Sequence, residues 1–175
     1  DVGGRLFTVY RMYADDGSPL VRPFFHPVLA ADGTPVTSDQ LLAGGGDHPH
    51  HRSLWIAHGD VDGTDFWSLA GDRTGSPRQD ETADPVLQGL RGTRDGIVMA
   101  YDWKDGGGRI LMSELRVVGV RAYPDGSRGI DIASTFYARD LPVRLGDTKE
   151  AGIVAVRLAR DISETGTITN SRGDS

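Results

Sequence analysis

Apolar residues recur along this chain in short alternating runs separated by glycine-containing turns, the period of strands and not of helices. Leu6–Tyr13 alternates and is rich in aromatics. Leu20–Val28 carries Phe24 and Phe25, and its Pro23 and Pro27 predict an edge or irregular strand, because proline cannot donate to a ladder. Ile97–Trp103, Ile110–Tyr123 and Ile130–Tyr137 are separated by Lys104–Gly108 and Pro124–Ser127, a spacing that predicts an antiparallel meander. Ile153, Ala155, Arg157 and Ala159 alternate with Val154, Val156, Leu158 and Arg160, which predicts another strand, and Thr165–Thr169 is expected as a last one. Asp-Gly occurs six times, at residues 16, 32, 62, 95, 105 and 125, and tolerates the positive φ of tight hairpin turns. Gly or β-branched residues interrupt every helical window, so no helix is expected. Thr37–Arg52 and Ala70–Asp84 read as loops. Together these elements predict an all-β fold, an antiparallel β-sandwich, as one domain over residues 1–175.

Composition narrows the partners. The 19 Lys and Arg against 25 Asp and Glu give a net charge of −6, whereas a nucleic-acid partner calls for a basic patch. No apolar run approaches the roughly 18–20 residues of a membrane helix, so neither nucleic acid nor membrane is expected as a partner. The chain has no cysteine, which removes disulfides, thiolate metal sites and a Cys nucleophile. No signal-peptide pattern opens it; the sequence leaves the compartment open, with the cytoplasm favoured over export. Oligomeric state is not readable from the sequence.

Candidate chemistry concentrates in one stretch. All five histidines lie between His26 and His58, and His48, His50, His51 and His58 fall within eleven residues. Pro49 keeps that segment extended or looped. In an extended chain His48 and His50 share a face and His51 points away. Three readings compete. Imidazoles bind metals, and His48, His50, His58 and Asp60 would be the ligands of a divalent cation. Against this, no histidine follows His58, and the first glutamate is Glu81. Alternatively, a neutral imidazole near its pKa moves protons, with a carboxylate as partner and no cofactor. Or the histidines knit a loop together by hydrogen bonds. Trp55 and Trp67 flank the string His58–Phe66, and aromatic faces beside Asp, His and Arg suit sugar binding as well as core packing. Arg22 and Arg52 are candidates for substrate contacts. No phosphate-binding loop and no nucleophile elbow is present. Read alone, Glu150 is a salt bridge or a loop end.

The strings Arg22-Pro23-Phe24-Phe25-His26-Pro27, Asp47-His48-Pro49-His50-His51-Arg52, His58-Gly59-Asp60-Val61-Asp62-Gly63-Thr64-Asp65-Phe66-Trp67 and Gly146-Asp147-Thr148-Lys149-Glu150 occur in that order. Together they resemble the bacterial family labelled "PmoA-like" or "methane oxygenase PmoA", from about Arg22 to the C-terminus. The methane monooxygenase subunit sharing that label is an integral membrane protein, and this chain has no spanning segment. That family is similar in predicted architecture to the galactose-mutarotase-like supersandwich, so the resemblance implies carbohydrate metabolism and a small-molecule carbohydrate as partner. It implies His48, His50, His51 or His58 as acid and Glu150 as base. Arg22, His26, Arg52, Trp55, Asp60, Asp65, Trp67 and Lys149 would contact substrate. Family members continue well past Asn170, so the resemblance implies that residues 1–175 are an incomplete family domain. The function expected is acid/base chemistry on a sugar: isomerase, lyase or hydrolase. The alternatives are a non-catalytic carbohydrate-binding module and a metal-dependent oxygenase or hydrolase.

Overall fold

Turn chemistry sets many of the strand boundaries. Gly17, Gly33, Gly63 and Gly126, each following an aspartate, adopt positive φ as expected. At the 123–127 turn, Asp125 Oδ1 accepts from both the amide and the hydroxyl of Ser127, closing the β-hairpin. The computed structural model describes residues 1–17, 19–39, 48–68, 85–93, 96–150 and 153–175. Their elements are β1 (Thr8–Tyr13), β2 (Pro19–Val28), β3 (Leu54–Ile56), β4 (Pro85–Thr93), β5 (Gly96–Lys104), β6 (Ile110–Ala122), β7 (Arg128–Ala138), β8 (Val154–Val156) and α1 (Arg160–Thr165). Two four-stranded sheets result, ordered β1-β2-β3-β8 and β4-β5-β6-β7, with every pairing antiparallel. The protein is an all-β, sandwich-like fold. No helix among the described residues is long and apolar enough to cross a membrane.

The meander over β5, β6 and β7 is as expected. Gly96 occupies the β5 position where a side chain is impossible, since a Cβ there would lie 1.9 Å from the Val118 carbonyl oxygen. Other expectations need correction. Strand β2 is not an edge, because it lies between β1 and β3. It is irregular, with Pro23 and Pro27 falling where the register with β1 shifts. Strand β3 gave no alternating signal because all three residues are buried. Thr165–Thr169 is not a strand. Arg160–Thr165 is instead one exposed helix of six residues, with no buried side chain and so no apolar period to detect. An Arg160–Glu164 ion pair at 2.8 Å supports it. Half of the expected Thr37–Arg52 loop, residues 40–47, and all of Ala70–Asp84 lie outside the described residues, and Asp47 and Glu81 with them.

The main core lies between the sheets. Phe25, Leu54 and Ile56 from the first sheet meet Met99, Tyr101, Trp103, Met112 and Val118 from the second. Each such side chain contributes about 1.5–3 kcal/mol through burial. The first sheet is also buried on its other face, where Phe24, Trp55, Ala57 and Trp67 form a separate cluster. Pairing of Phe24 with Trp55 and of Phe25 with Leu54 divides neighbouring residues between the two faces. The candidate chemistry sits on the outer face, away from the inter-sheet core.

Candidate functional site

The histidine segment is a tight turn, not an extended strand. The His51 amide donates to the His48 carbonyl at 2.9 Å. This brings together rings that an extended chain would separate. His48 and His51 stack at 4.7 Å, while His50 meets His51 edge-on at 4.5 Å and His48 at 5.6 Å. Pro49 fits because its fixed φ suits the second position of such a turn. The turn rests on the outer face of the first sheet. Arg22 of β2, 3% exposed, donates from Nη2 to the His50 carbonyl at 3.0 Å. The His51 ring lies 5.4 Å from Trp55 and 6.3 Å from Trp67. Arg157, just after β8, donates from Nη1 to His51 Nδ1 at 3.5 Å, which leaves the ring proton on Nε2. Burial, and then the neighbouring His50, His48, Arg157 and Arg22, lower the His51 pKa to about 4. His51 is therefore neutral at neutral pH and is not a proton donor there.

A second segment is strapped across the loop that follows β3. The Gly146 amide donates to the Asp60 carbonyl at 2.8 Å, and the Asp62 amide to the Arg144 carbonyl at 2.9 Å. The Arg144 amide donates to Asp62 Oδ1 at 2.9 Å, and His58 Nε2 donates to the Gly146 carbonyl at 3.1 Å. Gly146 lies so close that a Cβ would sit 1.8 Å from Asp60 Oδ2. The strap thus places Thr148, Lys149 and Glu150 beside the turn at Asp65–Ser68. There Asp65 Oδ1 accepts from the amides of Trp67 at 2.7 Å and Ser68 at 3.1 Å, fixing the indole.

Between them is a cleft of about 390 Å³ lined by His50, Gly59, Asp65, Trp67, Ser68, Thr148, Lys149 and Glu150. That size is within the range of small-molecule sites. Lys149 pairs with Glu150 at 3.5 Å, and Glu150 is largely covered whereas Lys149 projects to solvent. Five of the expected residues, His50, Asp65, Trp67, Lys149 and Glu150, therefore share one cavity. Thr148, Ser68 and Gly59 join them without any signal in the sequence beyond their neighbours.

The remaining candidates have other places. His58 is buried and holds the strap through Gly146 instead of lining the cleft. Asp60 accepts from the Gly63 amide at 2.7 Å and pairs with Arg144 at 3.5 Å, as part of the same latch. Arg52 does not line the cleft. It pairs with the buried Asp39 at 2.8 Å and stacks over Phe24 at 4.1 Å. His26 lies on β2, where burial lowers its pKa, and does not line the cleft. Trp55 is 3% exposed and forms the floor beneath His51. The expected metal set His48, His50, His58 and Asp60 is not assembled, because His58 and Asp60 are engaged with the strap. Among the described residues no three His, Asp or Glu side chains group so as to hold a metal ion.

Comparison with known proteins identifies a family. A family model described as a family of unknown function (DUF6807) matches residues 1–175, and the chain belongs to that family. No curated protein and no solved structure matches it.

Proposed function

We propose that this member of the DUF6807 family performs acid/base chemistry on a carbohydrate in the cleft between the histidine turn and the strap. The observation that carries this reading is the meeting of His50, Trp67 and Glu150, from three separate segments, in one cavity. In this reading the Trp67 ring takes the C–H face of a sugar. Asp65, Ser68, Thr148 and Lys149 take hydroxyl groups. Glu150 is the base that removes a proton, and His50 returns one to the oxygen on which charge develops. The ordered motifs that resemble the PmoA-like family support the same assignment.

The test is a thermal-shift screen against a sugar library, followed by turnover assays on the hits. His50→Ala and Glu150→Ala are each expected to lower turnover by at least about a hundredfold while the fold is retained. Full activity in both variants would sink the proposal. A non-catalytic binding module is the second reading, favoured by the Lys149–Glu150 ion pair, which gives Glu150 a role without chemistry. It predicts glycan affinity without turnover, lost in Trp67→Ala and unaffected in Glu150→Ala.

A further inference from the structure

Each sheet has two edge strands, and three of the four are blunted. Strand β8 has only three residues, β1 shifts register twice against β2, and β4 shifts once against β5. Short or irregular edges resist pairing with another chain. Strand β7 is neither. Its eleven residues pair with β6 at eleven successive positions without a shift. It contains no lysine or proline, and Ile132–Ala138 carries no charge. A regular, uncharged run that holds β-branched and aromatic residues is a template for a further strand. Among the described residues no strand lies against its outer edge.

We propose that β7 pairs antiparallel with β7 of a second copy of this chain, about a two-fold axis at Thr135, joining two four-stranded sheets into one of eight. The strand is self-complementary in that register. Tyr137, 52% exposed, falls opposite the partner's Ala133, and Phe136 falls opposite the partner's Ser134, so each ring meets a small side chain. Asp131 falls opposite the partner's Arg139, the residue that follows β7, and the symmetry makes that ion pair twice. Asp131 already meets Arg121, and Arg139 meets Asp102 at 3.1 Å, yet Asp131 is 54% and Arg139 48% exposed. No group has to be unpartnered beforehand. The charges alternate across the seam as Arg121, Asp131, the partner's Arg139 and the partner's Asp102. Moving the axis to Ser134 or Phe136 sets Asp131 opposite Tyr137 or Leu141 and loses both ion pairs. The inference is independent of the carbohydrate reading, because no residue of β7 lines the cleft.

The experiment is analytical ultracentrifugation of the full chain over a concentration series, with amide exchange measured at both ends of the series. A monomer–dimer equilibrium with a dissociation constant of about 100 µM or tighter is expected, as for a small interface. At high concentration alternate amides between Asp131 and Ala138 should gain protection, because their N–H groups enter a ladder. Thr135→Lys sets two ammonium groups at the axis, and Asp131→Arg sets like charges against Arg139. Each should weaken the dimer at least about tenfold while the urea midpoint stays near that of the native chain. A monomer at every concentration overturns the inference, as does open-ended association in place of a dimer. A dimer that both variants form as tightly as the native chain, or that adds no protection in β7, is held elsewhere and also overturns it. The exchange result on the native chain decides the question even where a variant fails to fold.

Discussion

His51 is held on three sides: by the stacked His48 ring, by Trp55 and by the Arg157 guanidinium. Its folded-state pKa of about 4, against an ordinary 6.5, means that between those values the folded chain binds fewer protons than the unfolded one. This contribution to stability is therefore complete above about pH 6.5 and is lost as pH falls toward 4. The ring is partly exposed, so screening limits the effect to on the order of 1 kcal/mol. Urea unfolding at pH 7.5 and pH 4.5 should show a smaller pH dependence in His51→Gln than in the native chain, and an identical dependence would refute the assignment. At this scale the sequence marked residue types but not the partners they find. Arg22, Arg52 and His58 stood out as charged or titratable groups near aromatics. In the fold each is engaged by a backbone carbonyl or an aspartate that no motif reveals.

Two elements carry testable consequences. The strap depends on Gly146, where a methyl group would drive apart the Asp60 latch. Gly146→Ala should weaken amide-exchange protection at Gly146 and Asp62, whose N–H groups bridge strap and loop. Global stability should fall by no more than about 1–3 kcal/mol, the usual cost of overpacking. Unchanged protection at both amides would show that the latch does not hold the strap. Strand β6 carries the second consequence. Leu115 and Val117 are 40% and 43% exposed, while Glu114 and Arg116, each 2% exposed, face the core. Met112 and Val118 fix that phase. Glu114 accepts from Trp103 Nε1 at 2.9 Å, from Arg116 Nε at 2.7 Å and Nη2 at 2.8 Å, and from Ser134 Oγ at 2.7 Å. Glu114→Gln leaves the Arg116 charge uncompensated and should cost roughly 3–5 kcal/mol by urea unfolding. A joint Glu114→Leu, Arg116→Met change should cost less, because it removes both charges. A larger loss in the double variant would contradict this account. Alternation made β6 legible as a strand, but the cross-strand donors that let Glu114 face the core are invisible to a one-dimensional pattern.

For the whole molecule, the meander β5-β6-β7 was readable because each reversal has local turn chemistry at Lys104–Gly108 and Pro124–Ser127. The first sheet was less readable, as β3 joins β2 and β8 across long separations and has only three residues. The site shows the same division. His50, Trp67 and Glu150 were anticipated from ordered motifs, whereas Arg157, Ser68 and Thr148 enter through pairings that only the folded chain creates.

The two-sided first sheet has a consequence for how such a protein diversifies. Along β3, Leu54 faces the inter-sheet core and Trp55 faces the histidine turn, so adjacent codons answer to different demands. Substitutions that reshape the cleft need not disturb the packing that keeps the chain folded, and the converse also holds. Cleft shape and robustness can then drift independently among descendants. The exception is insertion or deletion of one residue in β3, which would exchange the faces and remove both properties at once.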